Sequence, residues 1–277
     1  EIGIWRDNQL IAHYGDMSRK ILLFGQPQTA VQIGDVMVDT NERGTLTRKG
    51  PFFLMAATFL ERYIGYGKPY LIGFGFPNER AMKVAERLGL YAEVGHMTEF
   101  SWSTRSRLPL WGTRLHLIDR KLTDFAVIAA EQCWQHMAAD LQAAIIGIRD
   151  WQYLQHRYLD HPNQQYQIIL VRNRFSTRAR GILVLRYDPE GCEIVDLIAP
   201  LAEIPLLITH ARRLAGMHGA SRLFCRITAN FAHYFAIAGG TQQTINIYIP
   251  ANAWSDGPLP ETLKDRWWLM SGDKDFR

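Results

Sequence analysis

Cysteine is scarce in this sequence, and long hydrophobic runs are absent from it. Its 277 residues contain three cysteines, Cys133, Cys192 and Cys225, whose odd number and wide separation argue against a disulfide framework or a zinc site. We therefore interpret them as buried thiols and predict no metal. Because no apolar run could span a bilayer and the first residues do not resemble a signal peptide, we expect a cytoplasmic protein that does not bind membranes.

A strong charge of either sign is missing as well. The formal net charge is +4 and the isoelectric point is about 9.0, with basic residues scattered among acidic ones. This pattern does not favour nucleic acid as a partner. The length and the 47% hydrophobic content suffice for two cores of ordinary size, so we predict two domains.

A loop at residues 43–51 combines glycine with positive charge. It follows a predicted strand at 33–39 and precedes a predicted helix at 52–63, so backbone N–H groups and the positive end of the helix point towards it. Three cationic side chains add full charges. Glycine lets the backbone approach phosphate oxygens closely, and Pro51 suits the first turn of a helix. The loop is therefore predicted to bind an anion such as a pyrophosphate.

The segment after this helix narrows the identity of the anion. An apolar, glycine-containing strand at 70–76 leads into a second helix at 77–90, which begins with the capping residue Asn78 and ends in Leu-Gly-Leu. This order of strand, loop, helix, strand and Asn-started helix resembles the GNAT family of N-acetyltransferases. The resemblance implies an α/β fold of the mixed-sheet α+β kind. It also implies that the loop binds the pyrophosphate of coenzyme A and that pantetheine lies where two parallel strands splay apart.

The family's loop pattern, Arg/Gln-x-x-Gly-x-Gly/Ala, is met loosely. Either Arg43-Gly44 or Arg48-Lys49-Gly50 can take its place, and the sequence leaves both alternatives open. The implied coenzyme A contacts comprise the strand end, the loop, the first helical turn and the Asn cap: Met37, Val38, Arg43, Gly44, Arg48, Lys49, Gly50, Pro51, Phe52 and Asn78.

The resemblance also implies a catalytic residue. An acceptor amine must lose a proton before it attacks a thioester, and the family often uses a carboxylate on the strand before the loop. That position, three residues ahead of Val38, is Asp35. Asp35 is therefore predicted to be the general base, acting directly or through a water. A backbone N–H near Met37 or Val38 would polarise the carbonyl.

The family's usual general acid is missing. Its tyrosine lies seven residues after the Asn of the last helix, where this chain has Ala85. Tyr63 and Tyr91 are near in sequence and are interpreted as packing residues. Since a thiolate with a pKa of about 8 to 9 can leave without a strong acid, the reaction itself stays available.

The domain organisation is predicted from where the pattern starts, breaks and restarts. Residues 2–14 resemble a hairpin, so the family's first strand and two helices would lie upstream and we expect a fragment of a longer protein. A Ser-, Arg- and Pro-rich stretch at 104–112 is predicted to be a linker. It separates a coenzyme A-binding domain at 1–103 from a second GNAT-like domain at 113–277.

The second domain repeats the family order but lacks the anion loop. At the corresponding place, residues 196–205, there is neither glycine nor a cation, and Glu203 would repel phosphate. We therefore predict that this domain is not catalytic. Its predicted elements are strands at 113–119, 167–172, 181–187, 192–199, 222–227, 242–249 and 267–270, and helices at 124–141, 150–159, 203–217 and from 230.

Three functions are compatible with these observations. The favoured one is an acyl-coenzyme A-dependent N-acyltransferase that moves acetyl from acetyl-coenzyme A to a primary amine of a small molecule. The alternatives are a non-catalytic coenzyme A-binding or scaffold protein with a vestigial site, and a peptidoglycan-type aminoacyl transferase. The retained loop argues against the last, because its tRNA donor does not need one. A homodimer is left open, and His13, with the other histidines, is interpreted as a surface or packing residue.

Overall fold

The computed structural model describes residues 1–43, 47–105, 110–119 and 124–274. It contains two mixed sheets with helices packed on them, which confirms the predicted mixed-sheet α/β fold. The first elements in chain order are β1 (Ile2–Arg6), β2 (Gln9–Leu23), β3 (Gln26–Val38), α1 (Pro51–Tyr63), β4 (Ile72–Phe74), α2 (Glu79–Arg87), β5 (Tyr91–Ser103) and β6 (Thr113–Ile118). They are followed by α3 (Asp124–Asp140), β7 (Ile145–Gly147), α4 (Trp151–Leu154), which continues as a π-helical turn (Gln155–Leu159), β8 (Gln167–Asn173), β9 (Ala179–Asp188), β10 (Gly191–Ile198), α5 (Ile204–Met217), β11 (Arg222–Thr228), α6 (Ala232–Ala236), β12 (Thr241–Asn252), α7 (Pro260–Leu263), β13 (Trp267–Trp268) and α8 (Ser271–Lys274).

Contacts divide the chain into two compact units. Unit 1 comprises Glu1–Met97 and Ile245–Trp267, and unit 2 comprises Thr98–Thr244 and the described residues 268–274. The divisions therefore fall inside β5, β12 and β13. The predicted linker at 104–112 stays a prediction, and its residues 106–109 lie outside the described part of the chain.

Unit 1 is built on two consecutive hairpins. Asp7 and Asn8 both have positive φ, 47° and 63°, as a two-residue turn between twisted strands requires, and this confirms the predicted turn. A second turn at Phe24 and Gly25, with φ of 51° and 76°, was not predicted. Because of it, β3 begins at Gln26, seven residues before the predicted strand start, and pairs with β2 along almost its whole length.

The parallel strands β3 and β4 pair only briefly. Their register runs from Ala30 opposite Ile72 to Gln32 opposite Phe74, after which β3 continues for six residues to Val38. Beyond Gln32, β3 has no partner on β4, because β4 ends at Phe74. The next residue, Gly75, still lies close to β3, since a Cβ there would be 3.1 Å from the backbone oxygen of Ile33.

The core of unit 1 lies between its sheet and α1. The residues of α1 alternate at helical spacing between a buried face and an exposed one, and Met55, Phe59 and Leu60 are almost fully buried. Val31 of β3 and Tyr14 of β2 belong to the same cluster. This packing fixes the start of α1 relative to the end of β3, which is what positions the loop between them.

Unit 2 contains most strands of the seven-stranded sheet. Strands β6, β8, β9 and β10 are antiparallel neighbours, and β10 pairs in parallel with β11 from Cys192 opposite Leu223 to Ile194 opposite Cys225. Helix α5 follows β10. The face predicted for this helix is buried: Ile204, Leu207, Ile208, Ala211 and Leu214.

The structure also bears on the scarce residue types. All three cysteines are buried and carry free thiols, as predicted. Within the described residues, no helix combines the length and the apolar character that a membrane span requires.

Candidate functional site

The end of β3 carries a β-bulge. Asp35 and Val36 together face the single residue Tyr14 of β2, so β3 contains one residue more than its partner. Asp35 has a φ of 48°, which is rare for a residue other than glycine. The bulge follows the last pair between β3 and β4. It therefore changes the direction of the β3 backbone in the part of the strand that no longer pairs with β4.

Gly15 of β2 makes room for this bulge. A Cβ on Gly15 would lie 3.0 Å from the backbone oxygen of Gly34 and 3.3 Å from the Cβ of Asp35. Both distances are shorter than comfortable van der Waals contacts. The glycine thus permits the close approach of the two strands at the predicted catalytic position.

His13 is a candidate that sequence reasoning missed. Its Nδ1 donates a hydrogen bond to the backbone oxygen of Asp35 at 3.0 Å, so the imidazole lies beside the bulge. The sequence interpretation treated His13 as a surface or packing residue. Only the register of β2 against β3 brings the two together, and the distance of 22 positions along the chain gives no sign of it.

The side chains around the bulge are open to solvent. Asp35 is exposed, and Val36 and Met37 are 44% and 42% exposed. Apolar side chains with that exposure, next to an accessible carboxylate, can contact a substrate without first moving core residues. Val38 is different, since it is half-buried and packs against the core of unit 1.

The two alternatives for the anion loop lie in different surroundings. The Arg43 Nε donates to the backbone oxygen of Val38 at 2.9 Å, which turns this side chain back onto the end of β3. Its neighbour Gly44 lies outside the described residues. Arg48 and Lys49 are exposed, and they stand immediately before the buried Gly50 that begins α1.

Arg48 is held in place by aromatic rings. Its guanidinium carbon lies 5.9 Å from the ring centre of Phe53 and 5.3 Å from that of Trp254. Such distances allow cation–π attraction. The indole is fixed in turn, because its Nε1 donates to a carboxylate oxygen of Glu61 on α1 at 2.8 Å. Trp254 is a second residue that the sequence analysis did not find, since it lies two hundred positions downstream.

The start of α1 fits an anionic ligand. Gly50 is the N-cap and offers no side chain, Pro51 is the first helical residue, and the first turn is apolar throughout. The first intrahelical bond runs from the Leu54 N–H to the Gly50 oxygen at 3.1 Å, so the N–H groups of Phe52 and Phe53 are available to a ligand. With Arg48 and Lys49 adjacent, these donors suit the pyrophosphate of coenzyme A.

Asn78 caps α2 as predicted. Its side-chain oxygen accepts from the Ala81 N–H at 2.9 Å, which leaves its amide N–H groups as donors. The neighbouring Glu79 N–H donates to the side-chain oxygen of Asn246 at 2.7 Å. Two side-chain hydrogen bonds thus hold the turn between β4 and α2, and the Asn78 amide lies at its surface.

The position of the family's usual general acid is buried, and the tyrosines nearest to it in sequence are packing residues. Ala85 is buried, and the hydroxyl of Tyr91 forms a hydrogen bond with that of Tyr14. Burial raises the pKa of Tyr91 to about 12 and raises that of Tyr14 well above its ordinary value, with the Tyr91 hydroxyl adding to the effect on Tyr14. Both hydroxyls stay protonated at neutral pH. Tyr91 and Tyr63 both pack against the core of unit 1, in agreement with their interpretation as packing residues.

Several solved structures share this fold with the chain, and their descriptions name N-acetyl-, N-myristoyl- or probable N-acyltransferases. The fold matches a Kribbella flavida GCN5-related N-acetyltransferase with a TM-score of 0.61 and 14% identity over 90% of this chain. A conserved Enterococcus faecalis V583 protein of unknown function, described as a probable N-acyltransferase, matches with a TM-score of 0.62 and 14% identity over 94% of this chain. Saccharomyces cerevisiae N-myristoyltransferase with bound myristoyl-CoA matches with a TM-score of 0.58 and 9% identity over 94% of this chain.

The matched chains are longer than this one. It spans 58% and 62% of the Kribbella and Enterococcus proteins and 72% of the yeast enzyme. No family model matches the sequence, and no curated protein does. At identities of 14% or less, these comparisons establish the fold alone.

Proposed function

We propose that unit 1 binds an acyl-coenzyme A and transfers its acyl group to an amine. The observation that carries this proposal is the sequence of features along β3: its pairing with β4 ends at Gln32, it bulges at Asp35, and it leads through Arg48 and Lys49 into the start of α1, which has no side-chain cap. The part of β3 beyond its last pair with β4 can offer backbone groups to an extended ligand, and the loop offers positive charge to the phosphates of that ligand.

Each residue of the site has a defined task in this proposal. Arg48, Lys49 and the first N–H groups of α1 bind the phosphates, and a backbone N–H near Met37 or Val38 donates to the thioester oxygen. Asp35 accepts the proton of the incoming amine, directly or through a water. His13, which lies against the backbone of Asp35, is the second candidate for that proton. The departing thiolate needs no acid.

The finer assignment is acetyl as the acyl group and a small molecule with a primary amine as the acceptor. The open surroundings of Asp35 are compatible with a small, freely diffusing amine. We further propose that the chain is a tandem of two GNAT-like domains in which the second is not catalytic. The absence of glycine and of positive charge at 196–205 supports that view.

A non-catalytic coenzyme A-binding protein is the second candidate. Two observations favour it: Ala85 replaces the family's acid, and the nearby hydroxyls of Tyr14 and Tyr91 are engaged with each other. Under this alternative the ligand binds and no thiol is released.

Thiol release separates the two candidates. The chain is incubated with acetyl-coenzyme A and a panel of sugar, amino-acid, aminoglycoside and peptide amines, and free coenzyme A is measured with a thiol reagent. The proposal predicts amine-dependent release that Asp35→Asn suppresses. Tight binding of coenzyme A without release from any amine favours the non-catalytic alternative. No binding at all rejects both.

A further inference from the structure

The diverging strands of unit 2 are filled by the chain itself. Strands β10 and β11 separate after Ile194 and Cys225, and β10 bulges at Val195, which repeats the design of β3 and β4. In unit 2, however, the 269–274 segment lies along β11 at this point. Met270 bridges to Ile227, and the Thr228 N–H donates to the Leu269 oxygen at 3.1 Å.

The 269–274 segment fits closely against the bulge. A Cβ on Gly272 would collide with the Tyr158 hydroxyl and would lie 3.3 Å from the backbone oxygen of Val195. Arg157 donates from Nε and Nη2 to the Gly272 oxygen at 3.2 and 3.1 Å. Glycine is thus the residue that lets the segment reach the bulged strand.

A fully buried arginine joins this segment to the strand. The guanidinium of Arg149 donates from Nε to Asp196 on β10 at 3.0 Å and from Nη2 to Asp273 on the segment at 2.6 Å. Asp273 also accepts from the Met270 N–H at 2.9 Å. The third donor of Arg149, Nη1, bonds to the Gly147 oxygen at 2.9 Å.

The two carboxylates differ in what holds them. Asp196 accepts from the hydroxyls of Tyr153 and Tyr158, each at 2.9 Å, and so belongs to the wall of the site. Asp273 enters on a short turn and meets Arg149 with one carboxylate oxygen. A buried cation with one fixed partner and one inserted partner is the arrangement of a carboxylate-binding site.

We infer that the diverging strands of unit 2 form a carboxylate-binding site, built on Arg149, and that Asp273 of the chain's own 269–274 segment is its ligand. In unit 2, the space between β10 and β11 therefore contains a turn of the same chain. The segment occupies the gap between β10 and β11, so it also bars an extended ligand from entering there. This inference does not depend on the function proposed for unit 1.

Chemical rescue tests the site. Asp273→Ala removes the ligand carboxylate and is expected to lower the Tm of the whole chain. Sodium formate or acetate at tens of millimolar should then recover most of the lost Tm in a saturable way, whereas sodium chloride at the same ionic strength should not. Asp188→Ala is the matched control, because Asp188 accepts backbone N–H groups in an exposed turn of unit 2. Equal effects of formate and chloride on Asp273→Ala would overturn the inference.

A second pair of variants covers the case in which Asp273→Ala does not fold. Gly272→Ala should expel the segment and accelerate hydrogen exchange at the Met270 and Thr228 amides, and Tyr158→Phe should largely restore protection by removing the colliding hydroxyl. If Gly272→Ala has the same effect with and without Tyr158→Phe, or if exchange rises uniformly across unit 2, the segment is ordinary core and the inference fails.

Discussion

At the scale of single residues, Asp35 decides whether the site is catalytic. Asp35→Asn keeps the shape of the side chain but removes the proton acceptor, so turnover should fall roughly 10²- to 10⁴-fold. The affinity for coenzyme A should hardly change, because the phosphates bind elsewhere in the site. Steady-state rates over a pH series check this, and the deficit should shrink as rising pH supplies more free amine.

His13→Asn is the comparison variant for this experiment. It keeps a side chain that can donate to the Asp35 oxygen but cannot take up a proton near neutral pH. Full turnover in Asp35→Asn together with a large loss in His13→Asn would transfer the role of base to His13. Full turnover in both would leave the site without a base.

The phosphate contacts are tested by Arg48 and Lys49. Replacing both by alanine should weaken coenzyme A binding by roughly 1 to 3 kcal/mol, the range expected for charge-assisted contacts. Lys83→Ala is a suitable control, because Lys83 is an exposed cation paired with Glu79 on α2. Calorimetry supplies the affinities. An unchanged affinity in the double variant would show that the phosphates bind to another part of the chain.

At the scale of elements, variants of Asn78 can distinguish its structural role as the cap of α2 from its predicted role in binding coenzyme A. Asn78→Ala should cost about 1 kcal/mol of stability through loss of the α2 cap. Asn78→Asp retains a capping oxygen but has no amide donors, so it should keep the Tm. If it also keeps the coenzyme A affinity, Asn78 acts as a cap alone, and its predicted contact with the cofactor is wrong.

Helix α5 carries a buried histidine that makes unit 2 sensitive to acid. Burial, with the nearby Arg213, lowers the pKa of His210 to about 4. Its Nδ1 faces Arg213 and its Nε2 bonds to the Thr113 hydroxyl at 2.9 Å, so the folded state prefers the neutral ring.

This lowered pKa fixes the sign of the pH dependence. Between pH 6.5 and about 4, His210 binds a proton in the unfolded state but not in the folded state. The free energy of unfolding therefore falls as the pH falls. The loss is on the order of 3 kcal/mol at most. His210→Gln should flatten the curve of Tm against pH in this window. An unaltered slope would show that other groups cause the acid sensitivity.

Most of the elements were predictable from the sequence, but β5, β7, α7 and α8 were not predicted, and the pairing of the strands could not be. Helical spacing predicted the bounds of α1 and α5 to within one residue, and the residue pair Asp7-Asn8 predicted the turn between β1 and β2. The Phe24-Gly25 turn was missed because a single glycine between long strands is a weak signal. The bulge at Asp35 arises from the register between β2 and β3, which the residue pattern of one strand cannot specify.

At the scale of the whole molecule, the site collects residues from distant parts of the chain. Asn246 in β12 contacts the α2 turn, and Trp254 in the segment after β12 contacts Arg48 of the loop. No local sequence motif indicates either residue. The fold itself is shared with acyltransferases at 14% identity or less, because burial patterns and strand order tolerate wide changes of sequence. In the function proposed here, positive charge and glycine at one loop distinguish the unit that binds the cofactor from the unit that does not.

Calorimetric titration of coenzyme A into the whole chain tests the central claim most directly. One saturable site per chain is predicted, with acetyl-coenzyme A competing for it. The reason is that unit 1 presents Arg48, Lys49 and the free start of α1, whereas the corresponding gap in unit 2 contains the 269–274 segment. A complete lack of binding, or two equivalent sites per chain, would contradict the account.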